Sequence, residues 1–374
     1  MAAVPLLKRT EKQQLEFVQT IWPSISENAF QHEDYTRLFT HIDRVVERES
    51  TIYYPGRHSK RTVDEVSKYI QFLRENIRHS KAQAIVQNQT SERTDEKAIS
   101  RILDLAASAW LTIGVDTEKP LEGVAWSPNE TLQQSIQPHF RSVTVVDDTK
   151  RDIIPRSLTI AHLCNNYGFA VNWTSDLRHH LSIDWENQRI TVYEHLIYLC
   201  NYVNHSAETP IPIGILEEAL DTINLLFPSD QKRTKKFLKN KDKIFYRLGY
   251  CGRERRMRLS DYSHWGEQIG MLRDVLDDPP KGYHQLVLDK EHRNFLNWAT
   301  FWIAFLVALL TIISIAFGIV GVVYAILSYA ISVKSYQVAV DSLNASIQQV
   351  ELAIAMACGD AETAARLPQY CSGT

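Results

Sequence analysis

Residues 294–333 read NFLNWATFWIAFLVALLTIISIAFGIVGVVYAILSYAISV, forty positions without one Asp, Glu, Lys or Arg, bounded by Arg293 and Lys334. At about 1.5 Å per helical residue, the most apolar part, Phe301 to Val323, spans a hydrocarbon layer of roughly 30 Å. Core helices of soluble proteins rarely run so far without a charge. The stretch therefore reads as a C-terminal membrane anchor over residues 297–333. Trp298, Phe301 and Trp302 stand at its entrance, with Tyr324 and Tyr329 toward its exit. Aromatic side chains are favoured at such borders, where one end is wet and the other lies in lipid.

A second arrangement competes with one span. The run could turn near Gly318 to Gly321 and form a hairpin of two short spans, each at the lower limit of length. No Pro, Asn or Asp marks such a turn, so one span is favoured. Ser314, Gly318 and Gly321 permit close approach of another helix, and self-association through the span is one expectation.

Flanking cations orient the anchor. Arg273, Lys281, Lys290 and Arg293 precede it, whereas Lys334 alone follows closely. By the positive-inside tendency the N-terminal region faces the cytosol. With one span, the tail over residues 334–374 then lies across the membrane. There Cys358 and Cys371 could pair in an oxidising lumen, and the sequon at Asn344 could be glycosylated. Cys164, Cys200 and Cys251 precede the span and are expected to be reduced and packed as small hydrophobes.

The 374 residues are 44% hydrophobic and 23% charged, with a formal net charge of −3. Nothing in that balance implies a general affinity for polyanions. Locally the picture changes. Lys232 to Arg258 holds twelve Lys or Arg against Asp242 and Glu254, a net +10 that leaves −13 for the remainder. Phe237, Phe245, Tyr246 and Tyr250 are interleaved. Lys235, Lys236, Lys239, Arg255 and Arg256 are the candidate contacts to anionic lipid headgroups, each worth about 1 kcal/mol at an anionic leaflet. The same charges could serve nucleic-acid binding, but no recognition motif supports that. They could also form a solvated face paired with the acidic remainder.

His162, Cys164, His179, His180, His195, Cys200 and His205 are zinc-type side chains without the tight pairs that fix a tetrahedron. No metal site or cofactor is assigned to them. His179-His180 and Glu194-His195 are candidates for acid–base chemistry. No nucleophile motif, phosphate loop or dinucleotide fingerprint accompanies them. Asp147-Asp148 and Asp277-Asp278 lack the third carboxylate of a metal–diphosphate site.

Before the anchor the chain reads as mainly helical, in a first region over residues 1–114 and a second over 158–290, joined by an irregular connector over 115–157. Stripes predict helices around Leu15 to Ile21, Tyr35 to Val46, Val66 to Ile77, Glu96 to Ile113, Glu194 to Val203 and Ile215 to Phe227. Residues 80–94 read as a loop or a frayed helix end. Ser260 or Asp261 is expected to cap a last soluble helix. Phe169 to Trp173 and Arg189 to Tyr193 alternate like strands. In the tail, Val340, Leu343, Ile347, Val350 and Ile354 recur every three to four residues. This amphipathic stripe either continues the anchor helix along the membrane or serves self-association.

The motifs of this chain resemble those of a large group of uncharacterised fungal proteins. Arg293-Asn294 followed by Trp298-Ala-Thr-Phe-Trp302 is similar to that group's anchor. Trp173-Thr174, Leu177, His180 and Leu181 are similar to its W-T-x-x-L-x-x-H-L pattern. Leu216 to Pro228 and Leu105 to Ile113 are similar to two of its helices. The resemblance implies a fungal source and a helical soluble part before one anchor, and it supplies no catalytic residues. Trp173 and His180 mark either a shared site or a shared packing position.

The expected architecture is thus mainly α: a helical cytosolic region with a small β element and a C-terminal transmembrane helix. The expected function is a membrane-anchored interaction or scaffold protein with a basic lipid-contacting segment. An accessory enzyme acting on a lipophilic metabolite is the alternative. A buried apolar pocket lined by His179, His180 or His195 would favour the enzyme.

Overall fold

The computed structural model describes residues 4–53, 62–89, 96–116, 118, 123–140, 152–205, 208–243, 245, 253–277, 295–366 and 368–371. The chain divides into a compact unit, Met1–Asn294, and a second unit, Phe295–Thr374.

The first unit is mainly helical. Its N-terminal helices are α1 (Glu11–Ile21), α2 (Glu27–His32), α3 (Thr36–Tyr53), α4 (Val63–Glu75), α5 (Lys81–Asn88) and α6 (Glu96–Leu111). Side-chain caps start several of them. Thr10 and Ser80 form capping boxes with Gln13 and Gln83, and the Thr62 hydroxyl accepts from Glu65 N–H. Each cap satisfies backbone donors that a helix start otherwise leaves open. α5 replaces the first part of the loop or frayed end expected over residues 80–94, and residues 90–94 lie outside the described residues.

α6 is buried on nearly every side, from Ile99 to Leu111. It ends at Thr112, whose φ of 51° breaks the helical path two residues before Gly114. An aromatic layer covers the helix. Trp110 Nε1–H donates to the Tyr202 hydroxyl (2.7 Å), and Trp22 packs edge-on against Tyr198 and Tyr202. One charged pair is buried here. Lys81 Nζ lies 2.6 Å from Asp104 Oδ1, with both side chains nearly out of solvent.

Then come α7 (Leu132–Ile136), α8 (Ile160–Tyr167), β1 (Ala170–Thr174), β2 (Ile183–Asp184), β3 (Arg189–Tyr193), α9 (Leu196–His205), α10 (Ile213–Leu226), α11 (Lys232–Asn240) and α12 (Gly266–Asp277). The expected connector contributes Val124, Trp126, Leu132 and Ile136 to the same core as both its flanks. The run Val143 to Val146 and Asp147-Asp148 lie outside the described residues. The two expected strands form and pair in parallel, Ala170 opposite Arg189 and Thr174 opposite Tyr193. β2 adds antiparallel to β3, giving the order β1-β3-β2. Ile190 and Val192 alternate onto the buried face, the period-two pattern of a half-covered strand. The last soluble helix begins at Gly266 rather than at Ser260 or Asp261, which belong to a short 3-10 turn, Leu259–Asp261.

The second unit is dominated by α13 (Phe295–Gly359), 65 residues in one helix. It runs through Gly318 and Gly321 without a turn, so the hairpin alternative is not adopted. α13 is long and apolar enough to cross a membrane, and its most apolar window, with a mean hydropathy of 2.9, buries nothing within the chain. Trp302 and Tyr324 stand 22 positions apart, roughly 33 Å along a helix, close to the thickness of a hydrocarbon core. α14 (Ala361–Arg366) and α15 (Pro368–Cys371) fold back at the helix end, where Cys358 and Cys371 form a disulfide.

Candidate functional site

The basic stretch splits into two groups with different surroundings. α11 anchors itself through Thr234 and Leu238, one turn apart and fully buried. Phe237, half-buried beside them, packs against Phe227 with ring centres 6.5 Å apart. That inner face leaves Lys232, Arg233, Lys235, Lys236 and Lys239 exposed, and Lys241 follows on the same exposed segment. No acidic side chain lies within α11. Three of the five candidate lipid contacts, Lys235, Lys236 and Lys239, sit on this outward cationic face.

The other two do not. The Arg255 guanidinium is half-buried and donates from Nε to Leu225 O (3.0 Å) and from Nη2 to Leu158 O (3.0 Å). It also donates to Arg156 O. It joins the end of α10 to the start of the segment before α8. Burial holds its pKa below the ordinary arginine value. Arg256 Nη1 lies 3.2 Å from Asp221 Oδ2, and Arg253 grips the same carboxylate through Nε (2.6 Å) and Nη2 (2.9 Å). Asp221, on α10, is almost fully buried. Two arginines on one buried carboxylate is a fold-holding arrangement, because either partner left alone would be an uncompensated charge.

Lys243 also turns inward. Its Nζ pairs with Glu194 and lies 4.7 Å from the ring centre of Trp173. Burial lowers the Lys243 pKa against the opposing pull of Glu194. Burial works to raise the Glu194 carboxyl, but the Lys243 hydrogen bond and charge, with help from His195 and Ser175, bring it below its ordinary value. Trp173 packs edge-on to Phe245 (5.7 Å) and beside Phe227 (5.9 Å). The interleaved aromatics Phe237 and Phe245 thus face inward, not toward a ligand. Tyr246 and Tyr250 lie outside the described residues.

The histidines disperse. His180 is fully buried and its tautomer is fixed. Tyr193 N–H donates to Nδ1 (3.2 Å), so Nε2 carries the proton and donates to Thr222 Oγ1 (2.6 Å). The Thr222 hydroxyl in turn donates to Ala219 O (2.6 Å). Trp265 lies edge-on to the ring and donates Nε1–H to His180 O (2.9 Å). Burial lowers the His180 pKa to about 3. An imidazole so enclosed pins the sheet to α10 and α12 and has no proton to trade near neutrality. His179 is exposed.

His195 and His41 face each other with ring centres 5.0 Å apart. Burial lowers His195 to about 3 and His41 to about 4. His162 packs edge-on to Tyr167. Burial pushes the Cys164 thiol up to about 12, so it holds its proton and is a poor nucleophile. Cys200, buried in α9, is disulfide-bonded rather than reduced, its partner lying outside the described residues. Among the described residues no group of three or more His, Cys, Asp or Glu could hold a metal ion.

Small cavities open in the first unit. One is lined by Arg101, Asp104, Ser108 and Glu118, another by His79, Trp110, Trp126 and Pro210. These two are not lined by His179, His180 or His195.

On α13, Phe301, Trp302, Tyr324 and Tyr329 are exposed. Trp298 and Trp302 pack one turn apart, with ring centres 6.4 Å apart. Asn344 is exposed on the same helix.

Sequence reasoning could not separate the inward from the outward cations. It also missed a heavily bonded carboxylate. Glu218 accepts from Ser263 N–H and Oγ–H, His264 N–H and Trp265 N–H, all within 3.0 Å. Its only signal was an acidic residue inside an apolar stripe. Comparison with protein families, curated proteins and solved structures returned no match to this chain.

Proposed function

We propose that the protein is a membrane-anchored, non-enzymatic interaction or scaffold protein whose soluble unit lies in the cytosol and touches anionic lipid through the outward face of α11. One observation carries the lipid reading. Lys232, Arg233, Lys235, Lys236 and Lys239 are all exposed on one short helix that Thr234 and Leu238 lock in place, with no acidic side chain in it. Three such side chains at an anionic leaflet contribute roughly 3 kcal/mol.

The cations before α13, set against Lys334 after it, support the cytosolic placement. The Cys358–Cys371 disulfide supports a tail in an oxidising compartment, where Asn344 would be open to glycosylation. The disulfide at Cys200 argues against a reducing surrounding for the soluble unit, so topology needs a direct test. Protease added to intact vesicles carrying the full-length protein should remove the residues before the anchor and spare the tail. The opposite protection would overturn the cytosolic placement.

Lipid contact is tested by floating residues 1–294 on neutral and phosphatidylserine vesicles at low and high salt, with RNA as competitor. Binding should be confined to anionic vesicles and weaken with salt, because exposed charges are screened. The triple variant K235E/K236E/K239E should lose binding while keeping its melting temperature. Equal binding to neutral vesicles, or an unaffected triple variant, would remove α11 as the lipid contact. Binding to RNA alone would transfer the face to nucleic acid.

A further inference from the structure

The tail of α13 carries an apolar stripe that the anchor does not require. Tyr336, Val340, Leu343, Ile347, Val350 and Ile354 follow one another at alternating spacings of four and three. Five of the six are exposed, Leu343 at 61% and Val350 at 58%. Ile354 alone is half-covered, next to the disulfide-closed end. Over residues 334–353 the only other large aliphatic side chains are Val338 and Leu352. A seven-residue repeat kept over three heptads is the pattern of a left-handed coiled coil.

The helix does not bend to lay this stripe on a bilayer. Lys334 to Gly359 continues α13 without a break, so if the anchor spans, the tail projects about 39 Å beyond Val333 at 1.5 Å per residue. Something in water must then cover the stripe. We infer that a second copy of this chain covers it, as a parallel two-stranded coiled coil running out of the membrane. The inference rests on the reading that α13 crosses a bilayer, because a shared direction of insertion brings both tails out on the same side and excludes an antiparallel pair.

Three features select a second copy over another partner. β-branched Val340, Ile347 and Ile354 occupy the a positions, and Tyr336, Leu343 and Val350 the d positions; β-branched a residues beside Leu343 at d are the combination that favours two parallel strands. Charges do not oppose the pairing. Across the seam Ala339 meets Asn344 of the second copy and Ser346 meets its Glu351, while Lys334 and Asp341 lie at b positions, away from the contact. The area suffices. From Ile319 to Ile354 the phase is unbroken, about 52 Å of helix. At roughly 10 Å of width the pair would bury about 1,000 Å² in total, near the lower bound for a specific interface. Three heptads are marginal for free helices, and confinement in one membrane supplies the effective concentration they lack.

The test is cysteine cross-linking of the full-length protein in membranes, against the parent protein as background. Leu343→Cys and Val350→Cys should oxidise to dimers about tenfold more than Asp341→Cys and Gln348→Cys, since only the former face the seam. The double variant L343D/I347D should abolish the dimer while leaving the melting of the soluble unit unchanged. Carbonate-resistant protein with no cross-linking, or with equal cross-linking on all faces, would overturn the dimer and leave the anchor standing. Protein stripped off by carbonate would overturn the anchor itself. Links between equal-numbered residues in that stripped protein would still establish the parallel pair.

Discussion

α10 and α13 are both apolar helices, and they differ in what surrounds them. α10 is enclosed by protein and carries Glu218, Asp221, Thr222 and Asn224 among its buried residues. Each has a partner: three backbone N–H groups for Glu218, two arginines for Asp221, His180 for Thr222 and Arg253 O for Asn224. α13 has no charge at all from Phe295 to Val333, and its most apolar window buries nothing within the chain. A protein interior tolerates a charge when it can supply the answering group, and lipid cannot. The presence of satisfied polar residues, more than apolarity, separates α10 from the apolar window of α13.

The contrast can be broken from both sides. The largest effect should come from Glu218→Ala, which strands the N–H groups of Ser263, His264 and Trp265. It should cost about 3–5 kcal/mol in urea unfolding of residues 1–294, whereas a loss under 1 kcal/mol would mean that the 263–265 turn finds other acceptors. The mirror experiment places a charge where no partner exists. Ile315→Arg should cost about 2.5–3.5 kcal/mol of insertion and reduce the carbonate-resistant fraction. Full resistance would show that α13 is shielded from lipid at that depth.

Within the basic stretch the same logic predicts opposite phenotypes. Arg255→Ala should destabilise residues 1–294 by about 1–3 kcal/mol, since three carbonyls lose a donor. The expected sign of acid sensitivity follows from the buried imidazoles. His41, His180 and His195 have folded pKa values lowered to about 4, 3 and 3, each by burial first. The unfolded chain, with histidine near 6.5, therefore binds more protons once pH drops below that value. Their stability is complete above pH 6.5 and is lost progressively toward pH 4, at up to about 1.4 kcal/mol per pH unit for each. The urea midpoint should fall between pH 7 and pH 5; a flat profile would mean that these rings reach solvent. At the bottom of the scale, Lys239→Ala should leave the melting temperature unmoved, and a clear drop would place Lys239 with the inward cations.

Much of this architecture is legible in the residues, and the failures have a common cause. α6 and α10 announce themselves through stripes, and β1 and β3 through alternation, because these signals are local. The helix α11 was hidden by its own charges, although Thr234 and Leu238 supply the one-turn repeat that buries it. α5 was hidden by a polar sequence whose Ser80–Gln83 capping box was the available signal. Arg255 and Lys239 look equivalent along the chain. They part company because Leu158 O, about a hundred positions away, meets one of them, and such an acceptor leaves no trace in local pattern. The parallel pairing of β1 with β3 is long-range in the same sense.

α13 contains no proline, and Gly318 and Gly321 stand in it with no neighbour pressed against them. The usual causes of a sharp kink are proline, glycine–serine pairs, bulges and inserted groups, and its path shows no break from Phe295 to Gly359. If α13 crosses a bilayer, a turn of its apolar half about the long axis would reach the Cys358–Cys371 knuckle through one unbroken helix.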